Sequence, residues 1–268
     1  MNSAPSTPTG FQPFANSPVD GLAVFIKNVP SPKGTIICVH GGLDRGGSFT
    51  RMARRIEDFT TIAYDRRGYQ SSRGLGPLSL DAHIEDLITL SLWAKSTGPV
   101  ILFGHSYGGI VALGAVLENP AIADVVVAYE SPMQWILPTG TQYNPLSDDA
   151  GFEAERFFRR MVSDASWERL SEKEKQSRRD DGYGLISDLT AVRSKMVPYE
   201  IEKIAVPSYY VHGDAFRRDY YRELGAQLTH RNHLFKTREL QGANHGAHLA
   251  IPDQVVQLLE EIWNEQCA

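Results

Sequence analysis

Ten consecutive residues, Val100 to Gly109 (VILFGHSYGG), constrain this chain more than any other stretch. Val100-Ile101-Leu102-Phe103 stands between Pro99 and Gly104, and a short unbroken apolar run bounded in this way suits a parallel strand buried on both faces. The apolar, alanine-rich run Ile110 to Leu117 suits a helix packed on that strand. Between them Gly104-His105-Ser106-Tyr107-Gly108 fits G-x-S-x-G. Small residues two before and two after the serine let strand and helix approach while the serine takes a strained backbone conformation. That geometry lifts the hydroxyl above the sheet edge, and the helix behind it points free amides at the same place, which suits developing negative charge. Two glycines around a serine arise by chance, so the weight rests on the strand before and the helix after.

A buried parallel sheet needs a sizeable core, and 268 residues are enough to supply one, either as one large α/β domain or as a core with an insertion. The formal net charge of −5 gives no basic footprint, so neither nucleic acid nor an anionic membrane surface is expected as a partner. Cys38 lies in an expected buried strand and Cys267 is next to last, which gives no disulfide framework and no set of metal-ligating thiols. A reducing, cytoplasmic setting fits that usage. Residues 1–18, rich in Ser, Pro, Thr and Asn, read as a flexible tail and not as a signal peptide. No apolar run reaches membrane-spanning length.

Taken in order, Leu22 to Lys27 reads as an outer strand and Thr35-Ile36-Ile37-Cys38-Val39 as a central one. The second runs into the glycine-dense loop His40-Gly41-Gly42-Leu43-Asp44-Arg45-Gly46-Gly47, with a helix expected over Ser48 to Ile56. A loop at the carboxyl end of a central strand is where open α/β sheets place their ligands. In that reading the amides of Gly42 and Tyr107 are the two oxyanion donors. Thr60 to Tyr64 is a strand ending in Asp65-Arg66-Arg67-Gly68-Tyr69, whose charges are expected to form a structural network under the loop. A helix capped by Ser79 continues through Leu90 and Trp93, with His83 as a solvated or capping residue.

The succession of His40-Gly41-Gly42 after one strand, Asp65-Arg66-Arg67-Gly68-Tyr69 after the next and the serine turn after the third resembles the α/β-hydrolase superfamily, its serine-nucleophile branch with a helical lid. The resemblance covers roughly residues 20 to 132 and 203 to 265. It implies a mostly parallel sheet with helices on both faces, a nucleophile turn after the fifth strand, an oxyanion hole shared with the loop after the third, and a histidine near the end. It also implies the division 1–18 tail, 19–132 and 201–268 core, and 133–200 inserted helical lid or cap. Within that insertion Phe152 to Ser163 and Trp167 to Asp181 have helical periodicity. Its aromatics are mostly packing, with Trp135 and Phe157 as candidate substrate contacts.

A serine hydroxyl needs a base within hydrogen-bond reach, itself oriented by an acid. Of the eight histidines only His245 follows a terminal strand in the Gly-Ala-x-His setting where the resembled family carries its catalytic histidine. His248 is its neighbour on the next turn and reads as structural. His40 and His105 flank the oxyanion loops and are expected to brace them. His230 and His233 have ligand-like spacing but no third ligand, so no metal is expected. The acid stays open. Many relatives carry it three residues beyond a glycine, but from Gly213 that position is Phe216. Asp214 follows that glycine directly and sits close to its strand, while Glu130, at the tip of the strand Asp124 to Tyr129, reaches further; we favour Glu130 and keep Asp214 as the alternative.

These parts point to a serine hydrolase without cofactor that works through an acyl-enzyme on a small, partly apolar carbonyl compound: an ester, thioester, lactone, amide or carbon–carbon bond next to a ketone. A serine at the elbow argues against alkyl-enzyme chemistry, which needs a carboxylate there. The same resemblance leaves a lyase or cofactor-independent oxygenase, and a ligand-binding receptor with vestigial hydrolysis, as alternatives.

Overall fold

The computed structural model describes residues 10–140, 143–194 and 196–267. Eight strands form one sheet: β1 (Gln12–Pro13), β2 (Val24–Lys27), β3 (Gly34–Val39), β4 (Phe59–Tyr64), β5 (Val100–His105), β6 (Val125–Tyr129), β7 (Ser208–Gly213) and β8 (Phe235–Leu240). Their order is β1-β2-β4-β3-β5-β6-β7-β8. The first two run antiparallel to their neighbours and every pair from β4 to β8 is parallel. The helices are α1 (Thr50–Ala53), α2 (Leu80–Lys95), α3 (Tyr107–Glu118), α4 (Ala150–Met161), α5 (Asp164–Glu168), α6 (Glu172–Asp180), α7 (Gly182–Arg193), α8 (Arg218–Arg231), α9 (Ala247–Ala250) and α10 (Pro252–Gln266). The expected mostly parallel sheet with helices on both faces is what the chain forms.

Alternation along the strands divides the core in two. Ile37, Val39, Leu102 and Val126 face the layer of α2, α3 and α8, where Leu87, Leu90, Ile110, Leu113 and Leu224 meet them. Ile36, Cys38, Ile101, Phe103 and Val127 face α1 and α10, meeting Met52, Val255, Leu259 and Ile262. Both faces of the central strands are covered, which is why those strands read as continuous apolar runs and not as alternating ones. Each such side chain contributes roughly 1.5–3 kcal/mol by leaving water.

Where the elements differ from expectation, packing gives the reason. Of the expected tail, residues 1–9 lie outside the described ones, but Phe11 is buried, β1 pairs with β2, and the Phe14 ring lies 4.6 Å from that of Trp93. The helix expected over Ser48 to Ile56 is a 3-10 turn, Gly46–Phe49, followed by the single turn α1. The stretch Trp167 to Asp181 is split between α5 and α6 because Ser171 and Glu174 form a capping box that starts a new helix. The glycines that hid α7 in the sequence are what let it dock: a Cβ on Gly182 would lie 2.0 Å from the Ala150 carbonyl oxygen, and one on Gly184 2.8 Å from that of Gly68. Among the described residues no helix is long and apolar enough to cross a membrane.

Candidate active site

Ser106 sits between β5 and α3 with φ 54° and ψ −122°, a left-handed conformation that a non-glycine residue adopts only under constraint. The constraint is close packing. A Cβ on Gly104 would lie 2.5 Å from the Gly108 carbonyl oxygen, and one on Gly108 2.1 Å from that of Val39. The Ser106 amide donates to the Tyr129 carbonyl at 2.8 Å, which ties the turn to the tip of β6. Glu130, the next residue along, has φ 45°. Two adjacent strand tips therefore end in left-handed residues, and both are candidate site residues.

Glu130 is fully buried, with one carboxylate oxygen accepting from the Gly213 amide at 3.0 Å and the other 2.7 Å from Nδ1 of His245. Asp214 is engaged elsewhere: its carboxylate accepts from the Gly242 amide at 2.7 Å and so fixes the start of the histidine loop. That loop is tied at two further points, where the Tyr129 hydroxyl donates to the Asn244 carbonyl at 2.6 Å and His105 Nε2 donates to the His245 carbonyl at 2.8 Å. The structure thus brings Glu130, and not Asp214, to His245. Among the described residues the Ser106 hydroxyl makes no hydrogen bond of its own.

Gly41 lies directly beside the serine, since a Cβ on it would be 2.9 Å from Ser106 Cβ. The guanidinium of Arg66, fully buried, donates to the carbonyl oxygens of His40 at 2.9 Å and Gly41 at 3.2 Å. In a trans peptide the carbonyl and the following N–H point in opposite directions, so drawing the Gly41 oxygen toward Arg66 turns the Gly42 N–H away from it. Arg66 is neutralised by Asp188 of α7 through bonds of 2.6 and 3.2 Å, and the Tyr69 hydroxyl donates to the same carboxylate at 2.6 Å. The Tyr69 and Tyr107 rings flank the guanidinium at 4.8 and 4.9 Å.

His40 braces this loop as a neutral ring. Burial first, then the Arg66 charge, push it down to about 3, which leaves Nδ1 to donate to the Gly41 carbonyl and Nε2 to accept from the Arg66 amide at 2.9 Å. His83 departs from its expected solvated role. It is buried, accepts from Arg66 at 3.1 Å, and is pushed down by burial and by that same charge. Asp65 accepts from the amides of Gly46 and Ser71 at 2.9 and 3.2 Å and supports the glycine loop from below. Burial raises its carboxyl to about 6.

The two candidate substrate contacts part company. Phe157, on α4, lies over the glycine loop, since a Cβ on Gly42 would be 4.0 Å from its Cζ and 3.3 Å from Leu185 Cδ1. Trp135 packs edge-on against Tyr199 at 5.5 Å and lines a cavity of about 770 Å³ together with Leu117. Leu117 is ten residues along α3 from Tyr107, about 15 Å of helix away from the elbow. Sequence reasoning did not find Asp188 or its neighbour Asp181, which binds Gln70 and Arg73. Asp188 is 122 positions from its arginine, and nothing local marks it. His230 and His233 are exposed.

Solved structures of low sequence identity share this fold. A lipase-esterase related protein from Clostridium acetobutylicum superposes with a TM-score of 0.68 over 90% of this chain and 99% of its own, at 16% identity. A profile of the alpha/beta hydrolase family matches residues 36–258, and the chain belongs to that family. Among curated proteins, Lipase LipV of Mycobacterium tuberculosis is 31% identical over 91 residues, 34% of each chain. Human monoglyceride lipase is 31% identical over 111 residues, 38% of this chain and 37% of its own. The chain thus spans little more than a third of the length of these curated relatives.

Proposed function

We propose that this protein is a serine hydrolase that cleaves a small, partly apolar carboxylic ester or related acyl compound through an acyl-enzyme. The observation that carries the reading is the 2.7 Å contact between His245 Nδ1 and the buried Glu130 carboxylate, beside a serine held at φ 54°. With Nδ1 engaged by Glu130, Nε2 is the nitrogen left to take the proton from Ser106 as its oxygen attacks the carbonyl carbon. The oxygen of the tetrahedral intermediate would be held by the amides of Gly42 and Tyr107. The leaving group takes the proton from His245 as the bond breaks, and water then repeats the sequence to release the acid. Hydrogen bonds between a catalytic base and its nucleophile often tighten only in the substrate complex, which accommodates a free hydroxyl at Ser106.

In this reading residues 133–200 act as a lid over a core made of 19–132 and 201–268, and Phe157, Leu185 and Leu43 offer the acyl chain an apolar wall. The relatives named as lipases support an ester substrate, and the Phe157 wall supports a partly apolar one. Fluorophosphonate labelling and p-nitrophenyl ester turnover test the assignment together. Wild type is expected to label and turn over, and Ser106→Ala to do neither, with turnover down by about 10³-fold or more. Labelling that persists in Ser106→Ala would overturn it.

A further inference from the structure

Asp44, His105 and His248 bring one oxygen and two nitrogens to one point behind the elbow, all within 4.8 Å of one another. His248 Nε2 is 3.6 Å and His105 Nδ1 3.9 Å from the same Asp44 oxygen, Oδ2. Both distances are longer than the about 2.7–2.9 Å of a charge-assisted hydrogen bond. His248 is 1% exposed and His105 6%, and among the described residues neither nitrogen of His248 nor Nδ1 of His105 has a hydrogen-bond partner. Buried imidazole nitrogens without partners are rare, because each has given up water for nothing.

The direction of the lone pairs narrows what could satisfy them. His105 donates its Nε2 proton to the His245 carbonyl, so its Nδ1 faces Asp44 as a bare lone pair toward a carboxylate. Two electron-pair donors turned on one another need an electrophile between them, either a metal ion or a water donating to both, and the convergence of a second imidazole on the same oxygen favours the ion. A backbone carbonyl on the far nitrogen is also how metal-bound histidines are held in one tautomer. Asp44 has the matching support, since the Ser48 hydroxyl donates to its Oδ2 at 3.0 Å. Around a tetrahedral ion with bonds of about 2.0–2.1 Å, donor atoms stand about 3.4 Å apart, against 3.6 and 3.9 Å from the two imidazoles to Asp44 here. Asp44 is 17% exposed, which leaves one side open to a water as the fourth ligand.

We propose that Asp44 Oδ2, His105 Nδ1 and His248 Nε2 bind a single divalent first-row transition ion, zinc foremost, beside the candidate nucleophile but outside the reacting centre. Two imidazoles and a carboxylate suit zinc and its neighbours and not calcium or magnesium, which take oxygen. The ion would clamp the glycine loop through Asp44, the elbow through His105 and the turn after the last strand through His248. Its role is positional, and it does not depend on what the serine attacks.

The full-length protein is stripped with chelator, incubated with zinc chloride, gel-filtered and assayed for bound metal, with circular dichroism to confirm the fold. Wild type is expected to retain one zinc per chain and to melt at a higher temperature with zinc than without. Asp44→Asn and His248→Gln are each expected to bind zinc at least tenfold more weakly, while a His230→Gln, His233→Gln double variant, which removes the exposed pair, keeps the full equivalent. A folded wild type that retains no zinc, or a His248→Gln variant that retains a full equivalent, would falsify the site.

Discussion

Glu130 owes its place to a backbone that few residues accept. At φ 45° it costs about 1–3 kcal/mol relative to an ordinary strand residue, and the return is a carboxylate turned out of the ladder toward the histidine loop. Glu130→Gln preserves the shape and the bond to the Gly213 amide but removes the charge that, in the proposed mechanism, stabilises an imidazolium, so ester turnover should fall by about 10³–10⁴-fold with little change in folding. Asp214→Asn should lower turnover far less and act mainly through loop stability, because Asp214 serves the Gly242 amide. Equal losses in the two variants would contradict this division. The sequence narrowed the acid to these two residues and favoured Glu130 on reach alone: which carboxylate meets an imidazole 115 positions away depends on where two loops land, and no local pattern encodes that.

The same scale decides acid stability. His40 and His83 are buried with lowered values, so the unfolded chain takes up protons on them below about 6.5 while the folded chain does not. Their contribution is complete above that value and is lost progressively as the pH falls, toward about 3 for His40. Asp65 runs the other way. Raised to about 6, it stabilises the fold most below about 4 and loses that contribution as the pH rises through 6. At pH 5 the uptake on His40 and the release from Asp65 nearly cancel, so His83 sets the sign and unfolding takes up protons. Denaturant melts between pH 7 and pH 5 should therefore show stability falling toward acid, and the slope should lessen in a His83→Gln variant.

Among the elements, the strand-turn-helix at Ser106 was the most legible, because its glycines do one local thing. Gly108→Ala would put a methyl 2.1 Å from the Val39 carbonyl oxygen, which neither backbone can yield, and a loss of about 3 kcal/mol or more is expected in chemical denaturation. The insertion was the least legible. Its helix α7 carries two glycines and a buried aspartate, features that argue against a helix until the neighbours that require them are seen. Asp188→Asn leaves the buried Arg66 guanidinium without its counter-charge, at a cost of about 3–5 kcal/mol. Because Arg66 also holds the carbonyls of His40 and Gly41, the part of this variant that stays folded should lose turnover by about 10-fold to 10²-fold with little change in KM. A change confined to KM would detach Arg66 from the oxyanion loop.

Over the whole molecule, the residues proposed for chemistry stand on the sheet and its tips, while the inserted helices contribute walls. Among the described residues, hydrogen bonds from those helices to residues 19–132 and 201–268 come from α6, α7 and the residue between them. Arg178 reaches the Leu43 carbonyl, Asp181 holds Gln70 and Arg73, Ser187 is bonded to the Leu78 carbonyl, and Asp188 holds Arg66 and Tyr69. Arg159 of α4 donates to Glu168 of α5, the Phe158 and Trp167 rings meet between the same two helices, and Arg179 of α6 donates to Glu155 of α4. In the proposed reading of these helices as a lid, α6 and α7 carry its hydrogen bonds to the core, while α4 meets the core through apolar contact with Leu43. Amide hydrogen exchange should accordingly be slow along α7 and markedly faster in α4 and α5, so that a hinge for admitting a guest molecule is expected on the α4 side, where Phe157 sits.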